Sequence, residues 1–143
     1  MLDYLIYFPN SRFQILDSIT MFSGIVIRGE GVARRLGYPT ANLDIHPDAT
    51  KLKAGVYAAH AFVAQIKYGA ALVIQTAIPK VEVYLYDYPD TDLYGEIVSV
   101  DAIQKVSEIE PLQEEALKKK VENDIRMIRE FLKKNLESGI FIH

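Results

Sequence analysis

The run Gly29-Glu30-Gly31-Val32-Ala33-Arg34-Arg35-Leu36-Gly37-Tyr38-Pro39-Thr40-Ala41-Asn42 places flexible backbone, two cations and two neutral oxygen ligands close together. Gly29, Gly31 and Gly37 let backbone N–H groups approach phosphate oxygens, because no Cβ intervenes. Arg34 and Arg35 carry guanidinium groups, which neutralise phosphate charge and can grip two oxygens at once. Pro39 biases Tyr38 toward an extended backbone. If the chain stays extended, Thr40 and Asn42 project to the same side. A hydroxyl and an amide oxygen so placed suit Mg²⁺, which takes few protein ligands and completes its shell with water and substrate phosphates.

Taken singly, these pieces read as a turn, a solvated basic pair and a loop entering a strand. The run is not a P-loop, since no Gly-Lys-Ser/Thr follows, and Arg34 stands where a Rossmann fingerprint needs its third glycine. Among the acids, Glu82 lies in Val81-Glu82-Val83-Tyr84-Leu85-Tyr86. Alternation puts Val81, Val83 and Leu85 on one face, with Glu82, Tyr84 and Tyr86 on the other. By itself Glu82 reads as a solvent-facing strand residue. Asp87 and Asp92 bracket a turn. His46, His60 and His143 have no zinc spacing, and no Gly-x-Ser-x-Gly nucleophile elbow exists.

The ordered set resembles a known family. Gly24-x-Val26-x-x-Gly29-x-Gly31-x-x-Arg34-x-Leu36-Gly37-Tyr38-Pro39-Thr40-Ala41-Asn42-Leu43 is similar to the opening of the riboflavin kinases. Gly55-Val56-Tyr57, the Val81–Tyr88 strand, Asp92-Leu93-Tyr94-Gly95-Glu96 and a helix carrying Asp124 follow in the family's order. The resemblance spans about residues 22–134. It implies ATP-dependent phosphorylation of riboflavin at the ribityl 5′-hydroxyl, giving FMN. Glu82 would be the catalytic base. Gly29, Gly31, Arg34, Arg35, Gly37, Pro39, Thr40 and Asn42 would bind nucleotide, with Thr40 and Asn42 holding Mg²⁺. Tyr84, Lys105, Ser107 and Glu108 would meet the flavin. The partners implied are riboflavin and ATP.

The chain also departs from the family. Ala33 replaces a glycine, Tyr84 stands where histidine is usual, and the segment before Glu82 lacks the common Gly-x-Arg-Pro-Thr form. Ser107 occupies the place of an arginine in the loop before the last helix, with Lys105 as a substitute cation. Ser107 and Glu110 have capping-box spacing. The alternative reading is a catalytically impaired flavin- or nucleotide-binding homologue. The His-x-Gly-His motif of the fused adenylyltransferase is missing, so FAD synthesis is not expected.

The elements that must position these groups are mostly strands. Met21 or Phe22 to Arg28, Gly55 to Ile66, Tyr68 to Thr76, Lys80 to Asp87 and Gly95 to Gln104 are rich in β-branched, aromatic and small apolar residues. Lys67-Tyr68-Gly69-Ala70 reads as a hairpin tip, and His46-Pro47-Asp48-Ala49-Thr50 as a turn. Leu112, Ala116 or Leu117, Val121, Ile125, Ile128, Leu132 and Leu136 form one apolar helical stripe, with Pro111 in its first turn and Gly139 at its stop. Lys118-Lys119-Lys120 falls largely off that stripe. The expected fold is mainly β: a six-stranded antiparallel Greek-key barrel with a C-terminal helix packed against it. Residues 21–143 form this domain, and 1–20 form an apolar extension that packs on it or on another copy.

Composition narrows the classes. The chain has 143 residues, 50% of them hydrophobic, which fits one domain. Net charge is −3, so no basic field points to nucleic acid. No apolar run approaches the ~20 residues that span a bilayer. The absence of cysteine excludes disulfides and fits a cytoplasmic setting.

Overall fold

The structure, a computed structural model, describes residues 21–28, 37–89 and 92–138. Six strands run β1 (Met21–Ile27), β2 (Ala41–Leu43), β3 (Gly55–Val63), β4 (Ile66–Gln75), β5 (Lys80–Leu85) and β6 (Ile97–Ser107). A short helix α1 (Pro47–Thr50) lies between β2 and β3, and a long helix α2 (Glu114–Ser138) ends the described chain. The strands close a barrel in the order β1-β2-β5-β4-β3-β6, with antiparallel neighbours throughout. The β2–β3 and β5–β6 connections each pass over two strands, which is the Greek-key feature. The expected fold class is the observed one.

Strict alternation builds the interior. Tyr57, Ala59 and Ala61 of β3, Leu72 and Ile74 of β4, and Val81 and Val83 of β5 point inward with Val98 and Val100 of β6. A fully buried Val or Leu contributes about 1.5–3 kcal/mol by leaving water. The outer face of β3 and β4 is also apolar. Val56, Ala58 and Ala71 form a second cluster there with Tyr86 and Ile128, against which Ile125, Phe131 and Leu132 of α2 pack. These strands are therefore covered on both sides, and they read in the sequence as nearly continuous apolar runs.

Several boundaries move. The β3–β4 hairpin tip is Ala64-Gln65, not Lys67–Ala70, because Val63 pairs with Ile66. Both tip residues are left-handed, at φ 50° and 70°. That is the signature of a two-residue primed turn, usually marked by Asn-Gly, so Ala-Gln gave no sign of it. Gly69 instead lies within β4, under the helix. A Cβ there would stand 3.0 Å from Leu132 Cδ1.

His46–Thr50 is a helical turn, capped by His46 Nδ1 accepting from Asp48 N–H at 3.1 Å. The last strand runs on to Ser107, held by pairing with β3. Helix α2 begins at Glu114, so Pro111 precedes it and Ser107 ends a strand rather than capping a helix. The extension 1–20 and the stop at Gly139 lie outside the described residues.

The turn offers a test. Left-handed backbone costs a residue with a Cβ roughly 1–2 kcal/mol. Replacing Ala64-Gln65 by Asn-Gly is expected to raise stability by about 1 kcal/mol, seen as a higher urea midpoint with an unchanged slope. A lower midpoint would refute the turn assignment.

Candidate functional site

One row of residues crosses the outer face of the barrel. Ser107 pairs with Val56, Val56 with Val73, Val73 with Glu82, and Glu82 with Asn42. Register partners project to the same side, so this row lies on the face that α2 partly covers. Above it is a cavity of about 290 Å³. Val56, Ala71, Val73 and Tyr84 make its floor. Tyr38, Thr40, Gln75, Lys80 and Glu82 line it from the β2 side and the β4–β5 end. Ile109, Glu110 and Leu112 join Leu117, Lys120, Val121, Asp124 and Ile125 of α2 to close it.

Glu82 reaches the cavity because Val81 and Val83 are committed to the core on either side of it. Its side chain is only 16% exposed, and Oε2 lies 3.4 Å from Lys80 Nζ. Ala41 and Leu43 are likewise buried, which turns Asn42 outward, directly opposite Glu82. Thr40 lines the cavity one step before β2. Gly37 adopts φ +95°, a conformation that favours glycine, at the entry to Tyr38-Pro39-Thr40. Thr40 and Glu82 thus line the cavity, while Asn42 lies beside Glu82 in register and is not among the cavity-lining residues. Gly29, Gly31, Arg34 and Arg35 lie outside the described residues.

The four residues expected near a flavin separate. Tyr84 lines the cavity and is held edge-on between Tyr38, at 6.0 Å between ring centres, and Tyr86, at 5.2 Å. Lys105 and Glu108 pair with each other at 2.9 Å and are not among the cavity-lining residues. Register shifts in the β3–β6 ladder set Lys105 opposite Tyr57, an inward residue, and return Ser107 to the outer row. Ser107 meets the cavity through Lys120, whose Nζ donates to its Oγ at 3.0 Å.

Sequence reasoning named Asp124 only as a landmark of the closing helix, and it gave none of Lys120, Asp124 and Lys80 a place at the cavity. Lys120 donates to Asp124 Oδ2 at 2.6 Å, and the two side chains are only 13% and 10% exposed. A signal existed: counting back from Ile128 by fours reaches both residues, on the inward side of α2.

Farther along, Tyr86 fastens the helix. Its hydroxyl donates to the Ile125 carbonyl at 2.7 Å, and the Arg129 guanidinium lies 4.8 Å from its ring centre while pairing with Asp87. Burial foremost, then Tyr84, pushes the Tyr86 hydroxyl far above the ordinary tyrosine range, against the opposing pull of Arg129. It stays protonated and donating.

The closed barrel, its covering helix and the cavity between them are the fold of the flavokinase class. The family model "Flavokinase: Riboflavin kinase" matches residues 16–132. The chain belongs to the riboflavin kinase family. It is 30% identical over 116 residues to the bifunctional riboflavin kinase/FMN adenylyltransferase of Haemophilus influenzae, covering 76% of this chain and 37% of that protein. It is 30% identical over 120 residues to the RNA-binding riboflavin kinase RibR of Bacillus subtilis, covering 77% of this chain and 50% of that one. The chain thus spans half or less of the length of these curated relatives. The crystal structure of riboflavin kinase from Trypanosoma brucei is similar in fold, with a TM-score of 0.65 and 22% identity over 86% of this chain and 82% of that one. A structure titled as a macrolide-efflux protein from Streptococcus pneumoniae shares the fold over 76% of this chain and 38% of its own, with a TM-score of 0.66 and 24% identity.

Tyr86→Phe removes one buried hydrogen bond and little volume. It is expected to lower stability by about 0.5–1.5 kcal/mol, with faster hydrogen exchange concentrated in α2. Unchanged exchange there would show that the hydroxyl does not fasten the helix.

Proposed function

We propose that this chain transfers the γ-phosphoryl group of ATP to the ribityl 5′-hydroxyl of riboflavin, giving FMN and ADP. The single observation that carries this is the edge of the cavity, where Glu82 and Thr40 line one space and Asn42 pairs with Glu82 on the neighbouring strand. Family membership supports the same reading.

The donor set fits Mg²⁺. Thr40 and Asn42 offer neutral hard oxygens, and no group of three or more His, Cys, Asp or Glu exists among the described residues to compete for a softer metal. When bound there, the ion spreads the negative charge of the nucleotide phosphates. The remaining work falls to side chains. Glu82 orients the substrate hydroxyl and accepts its proton as the oxygen attacks phosphorus. The new P–O bond forms as the bond from the γ-phosphorus to the β–γ bridging oxygen breaks, leaving ADP. Lys80, 3.4 Å from Glu82, brings a cation to the same edge. The apolar floor of Val56, Ala71 and Val73, with Leu117, Val121 and Ile125 opposite, limits water around the transfer. Arg34 and Arg35, with backbone amides around Gly29, Gly31 and Gly37, complete the nucleotide site in this proposal.

The domain assignment, 21–143 as kinase with 1–20 as a packed extension able to mediate oligomerisation, belongs to the same proposal. Its ligands are small molecules. RNA binding is named for one relative, of which this chain spans half, and a net charge of −3 gives no general basic surface for it. Among the described residues no helix is long and apolar enough to cross a membrane. We place the reaction in the cytoplasm, a setting with which the absence of cysteine is compatible.

Incubating the chain with riboflavin, ATP and Mg²⁺ should yield FMN, separable by chromatography. Flavin binding without product would identify the impaired homologue instead, a reading that Ser107 and Tyr84 favour. Glu82→Gln keeps shape and hydrogen bonding but removes the proton acceptor, so kcat should fall on the order of 10²–10⁴ with flavin affinity little changed. Near wild-type turnover would remove Glu82 from the mechanism.

A further inference from the structure

The barrel has a second apolar face, remote from the cavity. In the closed ring of strands β1 stands opposite β4, on which α2 packs. Phe22 and Val26 point into the core, which turns Met21, Ile25 and Ile27 outward. Ile97 of β6 stands beside Ile25 in register. These four side chains are 40–61% exposed. Ser23 and Ser99, the polar pair between them, bond each other hydroxyl to hydroxyl at 2.7 Å. Beyond Ile27 the ring of Tyr94 lies 4.4 Å from the Arg28 guanidinium carbon. Single exposed apolar residues are ordinary, but a contiguous aliphatic face marks a contact surface.

The chain itself supplies an occupant. Residues 1–20 lie outside the described residues and join β1 at Met21, the first residue of this face. They carry only three charged side chains, Asp3, Arg12 and Asp17. So apolar a composition is not that of a solvated tail. The densest run is 1–8, where Leu2, Tyr4, Ile6 and Phe8 alternate with Asp3, Leu5 and Tyr7. Pro9-Asn10-Ser11 follows, a cluster that marks a change of direction. Reach is ample. The face from Met21 to Ile27 measures about 20 Å. Residues 9–20 can span up to about 40 Å, twice that length. A segment tethered at Met21 meets the face at an effective concentration on the order of millimolar, which a second copy in dilute solution does not match.

We propose that residues 1–8 lie across the outer face of β1 and β6 of their own chain, with Leu2, Tyr4, Ile6 and Phe8 against Met21, Ile25, Ile27 and Ile97. β1 runs on through Arg28 to Gly29, so this cover braces the strand that leads into the glycine run. The inference rests on the reading of 1–20 as a packed extension, names the surface it occupies, and stands apart from phosphoryl transfer.

Limited proteolysis of the whole chain tests it. Chymotrypsin cuts beside aromatic and leucine side chains, and Tyr4, Leu5 and Tyr7 offer it sites. Cleavage there should be slow in the wild-type chain. The double variant Ile25→Lys/Ile97→Glu makes the face polar while setting opposite charges across paired strands, which a sheet tolerates. It should speed cleavage at those sites on the order of 10-fold, since cutting follows the released population. Equally fast cleavage in both chains would overturn the proposal. Equally slow cleavage in both would seat the segment on another surface, overturning this inference while leaving the extension packed.

A second measurement does not depend on how that variant folds. The chain has no cysteine, so thiols can be introduced at chosen pairs of positions. A short bis-maleimide should link Ile6→Cys/Ile97→Cys within one chain on the order of 10-fold faster than Ile6→Cys/Glu130→Cys, whose second site is exposed on α2. Equal rates would overturn the proposal, and so would a product joining two chains.

Discussion

Everything at the candidate site depends on the docking of α2 against the outer face of β3 and β4. The barrel interior closes without the helix, but Val56, Ala58 and Ala71 would then face water. The approach is close because the strands present small groups there. Ala58 and Ala71 carry a single methyl, and Gly69 leaves room for Leu132. A larger residue at 69 would push against the helix at the place where Tyr86 fastens it. Overpacking of that kind commonly costs about 1–3 kcal/mol. The cavity is the part of the same interface that docking leaves unfilled.

The barrel contributes rigidity of a different kind. Glu82 and Asn42 sit on paired strands whose neighbours in sequence are locked in the core, so neither can rotate to the other face without breaking register. The role proposed for Glu82 would benefit from such a mount, since small misplacements of a reacting group cost much rate. The partner groups come from irregular backbone on one side, at Tyr38-Pro39-Thr40, and from the helix on the other. The site therefore joins a fixed edge to two elements of separate origin.

Much of this was legible in the sequence, for physical reasons. Period-two alternation in Val81–Tyr86 placed Glu82 on the outer face, and the buried Ala41 and Leu43 turn Asn42 to that face as well. Several strands at short spacing without intervening helices pointed to an antiparallel barrel. The failures have physical causes too. Gly69 looked like a turn because glycine signals turns, yet it serves close packing, while Ala64-Gln65 bends left-handed without any turn residue. Register shifts in β6 turned Lys105 away from the cavity, and a shift of register leaves no mark on composition.

The most instructive omission is on α2. Reading only apolar positions along the helix traces Leu117, Val121, Ile125, Ile128 and Leu132; it leaves Lys120 off the stripe and gives Asp124 no place in the cavity. The inward face of a helix is wide enough to include both series. Lys120, Asp124 and Ile128 lie one above another, so the face changes character midway. Its second half is apolar and packs on Ala58, Ala71 and Tyr86, whereas its first half carries an ion pair over the cavity. Apolar side chains at 120 and 124 would fill that space, and replacing a buried ion pair in this way is often neutral or stabilising. Here the pair has two roles: it lines the cavity, and through Ser107 Oγ it ties the helix to the end of β6.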